Sequence, residues 1–133
     1  MKFILLLLLN AVVLAGCMPT PYGDANNSLL GGYSREAAPG NLVKITFSGN
    51  EFTKPALAQE YALRYAAQVA QEVKAPYFAV YQTLSDAANN HKTQLPVVYT
   101  EENEPTAYFY VAYHQKKESG DLSQVAILNR FKK

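Results

Sequence analysis

The sequence predicts an α+β fold in the order strand, helix, strand, strand, with one helix packed on a small mixed sheet and a short C-terminal helix. Three observations carry that expectation. Residues 41–48 alternate, with Val43, Ile45 and Phe47 on one face and Leu42, Lys44 and Thr46 on the other. Leu57, Tyr61, Tyr65, Val69 and Val73 recur at four-residue steps beside a row of Ala58, Ala62, Ala66 and Ala70, the period of an amphipathic helix. Residues 77–84 and 106–116 are dense in aromatic and β-branched side chains, which suit a pleated and half-buried surface.

Each element has local support. After the first strand, Gly49-Asn50 is a turn signal that suits φ > 0. Thr53 stands where a helix cap belongs, and Pro55 is tolerated in the first turn because its missing N–H has no intrahelical partner there. The helix is expected from about Lys54 to Val73. Its alanine row lets it lie close against a sheet, and Gln59, Glu60, Arg64, Gln68, Gln71 and Glu72 form its wet side. Arg64 is spaced to pair with Glu60 one turn before it. Ala75-Pro76 stops the helix. The first two strands, joined by this helical crossover, are expected to be parallel if the crossover has its usual right hand.

Residues 85–94 read as a polar loop, 95–100 allow a short edge strand, and Glu101-Glu102-Asn103-Glu104-Pro105 form an acidic turn. Asp121 is placed to cap a closing helix in which Leu122, Val125, Ala126 and Leu128 share an apolar face. A fourth strand through residues 125–128 is the competing reading.

The N-terminus has a different character. Lys2 precedes an apolar block, Phe3 to Ala15, broken only by Asn10 and closed by the small pair Ala15-Gly16. That is the anatomy of a signal peptide, and the block is shorter than the roughly 20 apolar residues a membrane span needs. Residues 1–16 are therefore expected to be a signal peptide, 17–40 a flexible tether, and 41–133 a small α+β domain. The tether expectation rests on the Pro, Gly, Asn and Ser content of residues 18–40. A flexible segment of that length has an end-to-end distance of about 25 Å.

Charge and cysteine content narrow the function. Without residues 1–16 only Lys2 is lost among charged side chains, leaving eleven basic against eleven acidic groups. With no basic excess and no Lys/Arg run longer than a pair, the electrostatic footprint of nucleic-acid binding is missing. Cys17 is the single cysteine, so no intramolecular disulfide can form and the domain must be held by burial.

Leu14-Ala15-Gly16-Cys17 resembles the lipobox of bacterial lipoproteins. The resemblance implies that the Cys17 thiol takes a diacylglyceryl group and becomes a triacylated N-terminus, with the chain held to a membrane through its acyl chains. In such lipoproteins Asp after the cysteine favours retention in the inner membrane. Met18 at that position implies attachment to the outer membrane on its periplasmic side, with the inner membrane as the alternative. A wider resemblance is carried by Thr20-Pro21-Tyr22, then Gly31-Gly32-Tyr33-Ser34, then Phe47-Ser48-Gly49-Asn50-Glu51-Phe52-Thr53, then Tyr61-Ala62-Leu63-Arg64-Tyr65-Ala66-Ala67. This ordered set is similar to a family of small bacterial envelope lipoproteins without an established activity. It implies an α+β domain on a lipid anchor and supplies no catalytic residues.

Chemistry-bearing constellations are few. His91 and His114 stand 23 positions apart, in a predicted loop and a predicted strand, and read as structural or surface histidines. Glu101, Glu102 and Glu104 lack calcium-loop spacing and its glycine. Ser48-Gly49-Asn50 lacks the preceding glycine of a nucleophile elbow, and no phosphate-binding glycine loop opens the helix. No cofactor and no metal are expected. The function expected is a non-catalytic binding or structural module that contacts an envelope protein, peptide or glycan. The alternative is an envelope hydrolase using Glu51 or Glu60 as acid or base.

Alternation places Phe78, Val80, Phe109, Val111 and Tyr113 on the helix side of the later strands. Tyr77, Tyr81, Tyr108 and Tyr110, with Thr83 and His114, fall on the opposite face. Tyrosine gives large contact area at low conformational-entropy cost, so these residues form the candidate binding face. The competing expectation is that residues 85–105 or the closing helix cover them as a second small core.

Overall fold

The longest strand, β5 (Glu104–His114), is the one on which the sheet is built. The structure is a computed structural model and describes residues 18–132. β2 (Leu42–Ser48) pairs along one side of β5. The other side is divided: β4 (Val97–Glu101) takes the N-terminal half and β3 (Tyr77–Tyr81) the C-terminal half. β1 (Gly32–Ala38) lies outside β2, and the two-residue β6 (Leu122–Ser123) lies outside β3. The α+β class is as the sequence predicts, but every pairing is antiparallel, so the sheet is not mixed. β2 and β3 point the same way without pairing, because β5 is inserted between them.

The crossover between β2 and β3 is helix α1 (Pro55–Glu72). Ala58, Ala62, Ala66 and Ala70 are fully buried, as the alanine row leads one to expect, and they bring the helix close to Ile45, Phe47, Phe78, Val80, Phe109 and Val111. Burying side chains of this size stabilises by about 1.5–3 kcal/mol each. Tyr113 reaches up from β5 and donates its hydroxyl to the Ala66 carbonyl at 2.9 Å. Two smaller helices follow: α2 (Leu84–Ala88), which begins at the last residue of the expected strand 77–84, ended here at Tyr81, and runs into the expected loop, and α3 (Gln124–Asn129), which packs against α1. The C-terminal helix is thus present, and no strand forms through residues 125–128. Its cap is Ser123, which accepts from the Ala126 amide; Asp121 is engaged elsewhere.

The largest correction concerns residues 18–40. The expected tether is folded onto the domain: β1 is paired with β2 over its whole length. Thr20 is 1% exposed. Its hydroxyl donates to the Leu30 carbonyl at 2.6 Å and accepts from the Asn50 amide at 2.8 Å, while its own amide donates to Thr53 Oγ1 at 3.0 Å. Thr53 therefore does not cap α1, whose N-cap Lys54 makes no side-chain cap bond. Thr53 donates instead to Asn50 Oδ1, and Asn50 Nδ2 donates to the Met18 carbonyl at 2.7 Å.

Two glycines permit this junction. Gly31 has φ +101°, and a Cβ there would collide with the Ser48 carbonyl. Gly49 does not use positive φ, contrary to expectation. Its Cβ would stand 2.6 Å from Thr53 Cβ, so close approach is what the position requires.

Tyrosines seal the segment on the helix side. Tyr33 stacks on Tyr65 with centroids 3.9 Å apart, Tyr22 packs against Tyr33 and Tyr61, and Tyr61 meets Phe47 edge-on. Arg64 lies 3.9 Å over the Tyr22 ring and 5.2 Å from that of Phe131, leaving Glu60 to Arg130.

Thr20→Val keeps the shape and deletes the hydroxyl, so the Leu30 carbonyl and the Asn50 amide each lose a bond at the junction. A loss of about 1–3 kcal/mol is expected in urea unfolding, with the slope unchanged. Limited trypsin or chymotrypsin digestion of the wild-type chain should leave residues 20–40 attached to the domain. Early cleavage at Tyr33 or Arg35 would contradict the packing described.

Candidate functional site

The far face of the sheet, away from α1, carries the tyrosines that alternation selects. Register sets Tyr81 opposite Tyr110 and Tyr77 opposite His114 on β3 and β5, and Tyr108 opposite Thr46 on β2. All are therefore on one surface, but they differ in cover. Tyr81 is 5% exposed. Helix α2, capped by Thr83 through the Asp86 amide, precedes a turn whose Asn90 Oδ1 accepts the Tyr81 hydroxyl at 2.9 Å. Burial pushes the Tyr81 phenol up from its ordinary value, against a smaller opposing pull from Lys92.

Tyr77, Tyr108 and Tyr110 are half-buried, and α3 packs on the other side of the sheet. Cover is therefore uneven: Tyr81 is buried beneath the segment that follows β3, while Tyr77, Tyr108 and Tyr110 stay half-exposed. Tyr108 is the best-defined of them. Lys44 Nζ stands 5.0 Å over its ring, Tyr99 meets it edge-on at 5.9 Å, and Glu36 lies 3.9 Å from Lys44 Nζ. Beside this group runs a groove of ≈ 450 Å³ between the Pro39-Gly40 turn, Leu42, Tyr81, Ala112 and helix α2. The surface offers aromatic faces, one cation and an apolar groove, a combination that suits stacking and hydrogen bonding to a partner.

His114, at the C-terminal end of β5, belongs to a different cluster. Its Nδ1 lies 2.8 Å from Asp121 Oδ2 and 2.9 Å from Glu118 Oε2. Because carboxylates only accept, Nδ1 carries the hydrogen. Lys92 Nζ binds Asp121 Oδ1 at 2.9 Å and the Ser119 carbonyl at 2.7 Å, and the Glu118 amide donates to Asp121 Oδ2. Burial opposes ionisation of Asp121, but the bonds from His114, the Glu118 amide and Lys92 outweigh it and hold the carboxyl below its usual value. His114, Glu118 and Asp121 have ligand atoms within 4.8 Å of one another, yet Lys92 already supplies the cation. The cluster ties the 115–121 loop to the sheet. His91 is exposed and separate from it.

Sequence reasoning missed Glu118 and Asp121 as His114 partners, and Lys92 as the partner of Asp121. The one available signal was the four-residue step from His114 to Glu118, which had no predicted helix to give it meaning. Glu60 is held by Arg130 Nη2 at 2.7 and 2.9 Å, and Glu51 is exposed in the turn before α1. Cys17 lies outside the described residues. Among those residues no helix is long and apolar enough to cross a membrane. The chain matches no protein-family model, and no curated protein or solved structure aligns with it significantly.

A depressed carboxyl in the folded state stabilises the fold above its unfolded value, near pH 4, and that contribution is lost as pH falls through the folded value. Asp121→Asn should therefore lower stability at pH 7 by about 1.5–3 kcal/mol, the worth of hydrogen bonds to a charged group, and flatten the acid limb of the stability profile. A variant with the wild-type acid limb would show that Asp121 is not its source.

Proposed function

We propose that the chain is a lipid-anchored protein of the bacterial envelope, similar to small envelope lipoproteins of unestablished activity. It acts as a non-catalytic binding or structural module on the periplasmic side of the outer membrane. The address rests on Leu14-Ala15-Gly16-Cys17, in which small residues precede a lone cysteine directly after an apolar block. The binding role rests on one observation, the half-covered face of Tyr77, Tyr108 and Tyr110 beside an apolar groove. An envelope protein, peptide or glycan is the class of partner such a surface suits. The hydrolase alternative draws less support, since Glu60 is committed to Arg130 and His114 to a loop-fastening cluster.

Cys17→Ser should abolish metabolic labelling by palmitate and leave uncleaved precursor. Normal processing of that variant, with partitioning into detergent, would defeat the proposed anchor.

Tyr108→Ser combined with Tyr110→Ser should remove the cross-linked partner recovered from solubilised envelope while keeping cooperative unfolding within a few degrees of wild type. An unchanged cross-linking pattern, or loss of the folded state, would sink the binding role.

A further inference from the structure

We propose that the end of the domain bearing Met18, Leu29 and Phe52 is a lipid-docking surface that seats the domain directly on the headgroup layer of a zwitterionic membrane. This rests on the acylation of Cys17 proposed above and deepens it, because the anchor then dictates which end of the domain meets the lipid.

The first argument is chain length. Cys17 is one peptide bond from Met18, whose carbonyl is held by Asn50 Nδ2, and Thr20 is already buried in the junction. Three residues span at most about 11 Å fully extended. The headgroup region of each leaflet is about 5–8 Å thick. Acyl chains in the hydrocarbon therefore hold the Thr20 junction close to the headgroups, with only about 3–6 Å of chain left for the domain to stand away.

The second argument is what surrounds that point. Leu29 is 105% exposed, Met18 59% and Phe52 41%. Leu29 and Phe52 line one recess of ≈ 290 Å³ with Gly31, Ser48 and Asn50, the residue that holds Met18. Apolar side chains grouped around an anchoring point gain by entering the boundary between headgroups and acyl chains.

Charge selects the lipid. Glu51 and Glu104 line the same recess, Glu101 and Glu102 occupy the adjoining β4–β5 turn, and Lys54 opens α1 nearby. This acidic rim is repelled by anionic lipid, which leaves a membrane of zwitterionic headgroups without net surface charge as the one it can approach. Lys116 and Lys117 lie past the opposite end of β5, whose eleven residues span about 35 Å.

Because the acylated chain has no free thiol, Leu29→Cys and Lys117→Cys each create a single labelling site on an exposed residue. The full acylated protein, labelled with a polarity-sensitive fluorophore, is reconstituted into phosphatidylethanolamine–phosphatidylcholine vesicles, and the mass of the N-terminal peptide reports acylation. The label at 29 should shift to the blue and lose access to an aqueous quencher several-fold, with the label at 117 unchanged. Equal access at both positions in acylated protein would overturn the docking surface and leave the anchor standing. Absence of acyl mass on Cys17 would overturn both. Concentration-dependent shielding at 29 in detergent without vesicles would assign the surface to a second copy of the chain and overturn the lipid. Adding anionic phosphatidylglycerol should reduce the shielding, and unchanged or increased shielding would overturn the zwitterionic preference.

Discussion

A buried hydroxyl must find a donor and an acceptor inside the protein, and Thr20 finds them thirty residues ahead at the Asn50 amide and ten ahead at the Leu30 carbonyl. Much of the architecture depends on that requirement. Meeting it places the turn of residues 49–53 against the incoming chain, which sets where α1 starts. It also delivers Gly31 beside Ser48, which starts β1 in register with β2. Thr53, Asn50 and Met18 complete the same network. No buried side-chain polar atom among the described residues is left without a partner, so the junction carries no desolvation penalty that would favour its opening.

The aromatic residues convert this local junction into a packed layer. β1 would otherwise be a short edge strand with its helix-facing side half open. Tyr22, Tyr33, Tyr61 and Tyr65 close that side, and the Tyr22 hydroxyl finds Gln68 Oε1 at 2.7 Å. Burial raises the Tyr22 and Tyr113 phenols above their ordinary value, so both are neutral donors near pH 7. Aromatic pairs of this geometry contribute about 0.5–1.5 kcal/mol beyond their burial, which accounts for a chain rich in tyrosine and without tryptophan using its rings as a fastener.

What could be read from the sequence follows the range of the interactions involved. The α1 face and the strands β2, β3 and β5 were legible because their periods of four and two residues are written locally. So was the sorting of β5 into Phe109, Val111 and Tyr113 on one side and Tyr108, Tyr110 and His114 on the other. Residues 18–40 were not legible. Their Pro, Gly and Asn content reads as loop and hides the β1–β2 hairpin, while the bonds that bury Thr20 against Asn50 and Thr53 join residues thirty or more apart. The motifs quoted from this region turn out to meet in space: Thr20, Gly31, Asn50 and Thr53 form one junction. Asp121 misled for a related reason, since its loop position fits a cap while its carboxylate answers to Lys92, twenty-nine residues away, and to His114 across the intervening loop.

The two ends of the sheet are chemically unlike, and that asymmetry connects the proposed anchor with the proposed binding face. The end near Thr20 gathers exposed apolar groups and carboxylates, whereas the end beyond His114 gathers lysines and a loop fastened by a buried ion cluster. A domain seated on lipid by the first end has its strands rising from the membrane. Tyr108 and Tyr110 then lie partway along a side wall, neither pressed into headgroups nor at the outermost tip. A long tether would have let the domain tumble and present any face. On the proposed anchor, a latch one residue away would restrict the domain to rotation about the membrane normal, and a partner on the same membrane would meet the tyrosine face at a fixed height. Restricting orientation in this way removes part of the rotational entropy lost on association, which lets a modest aromatic surface act as a recognition site without a large buried area.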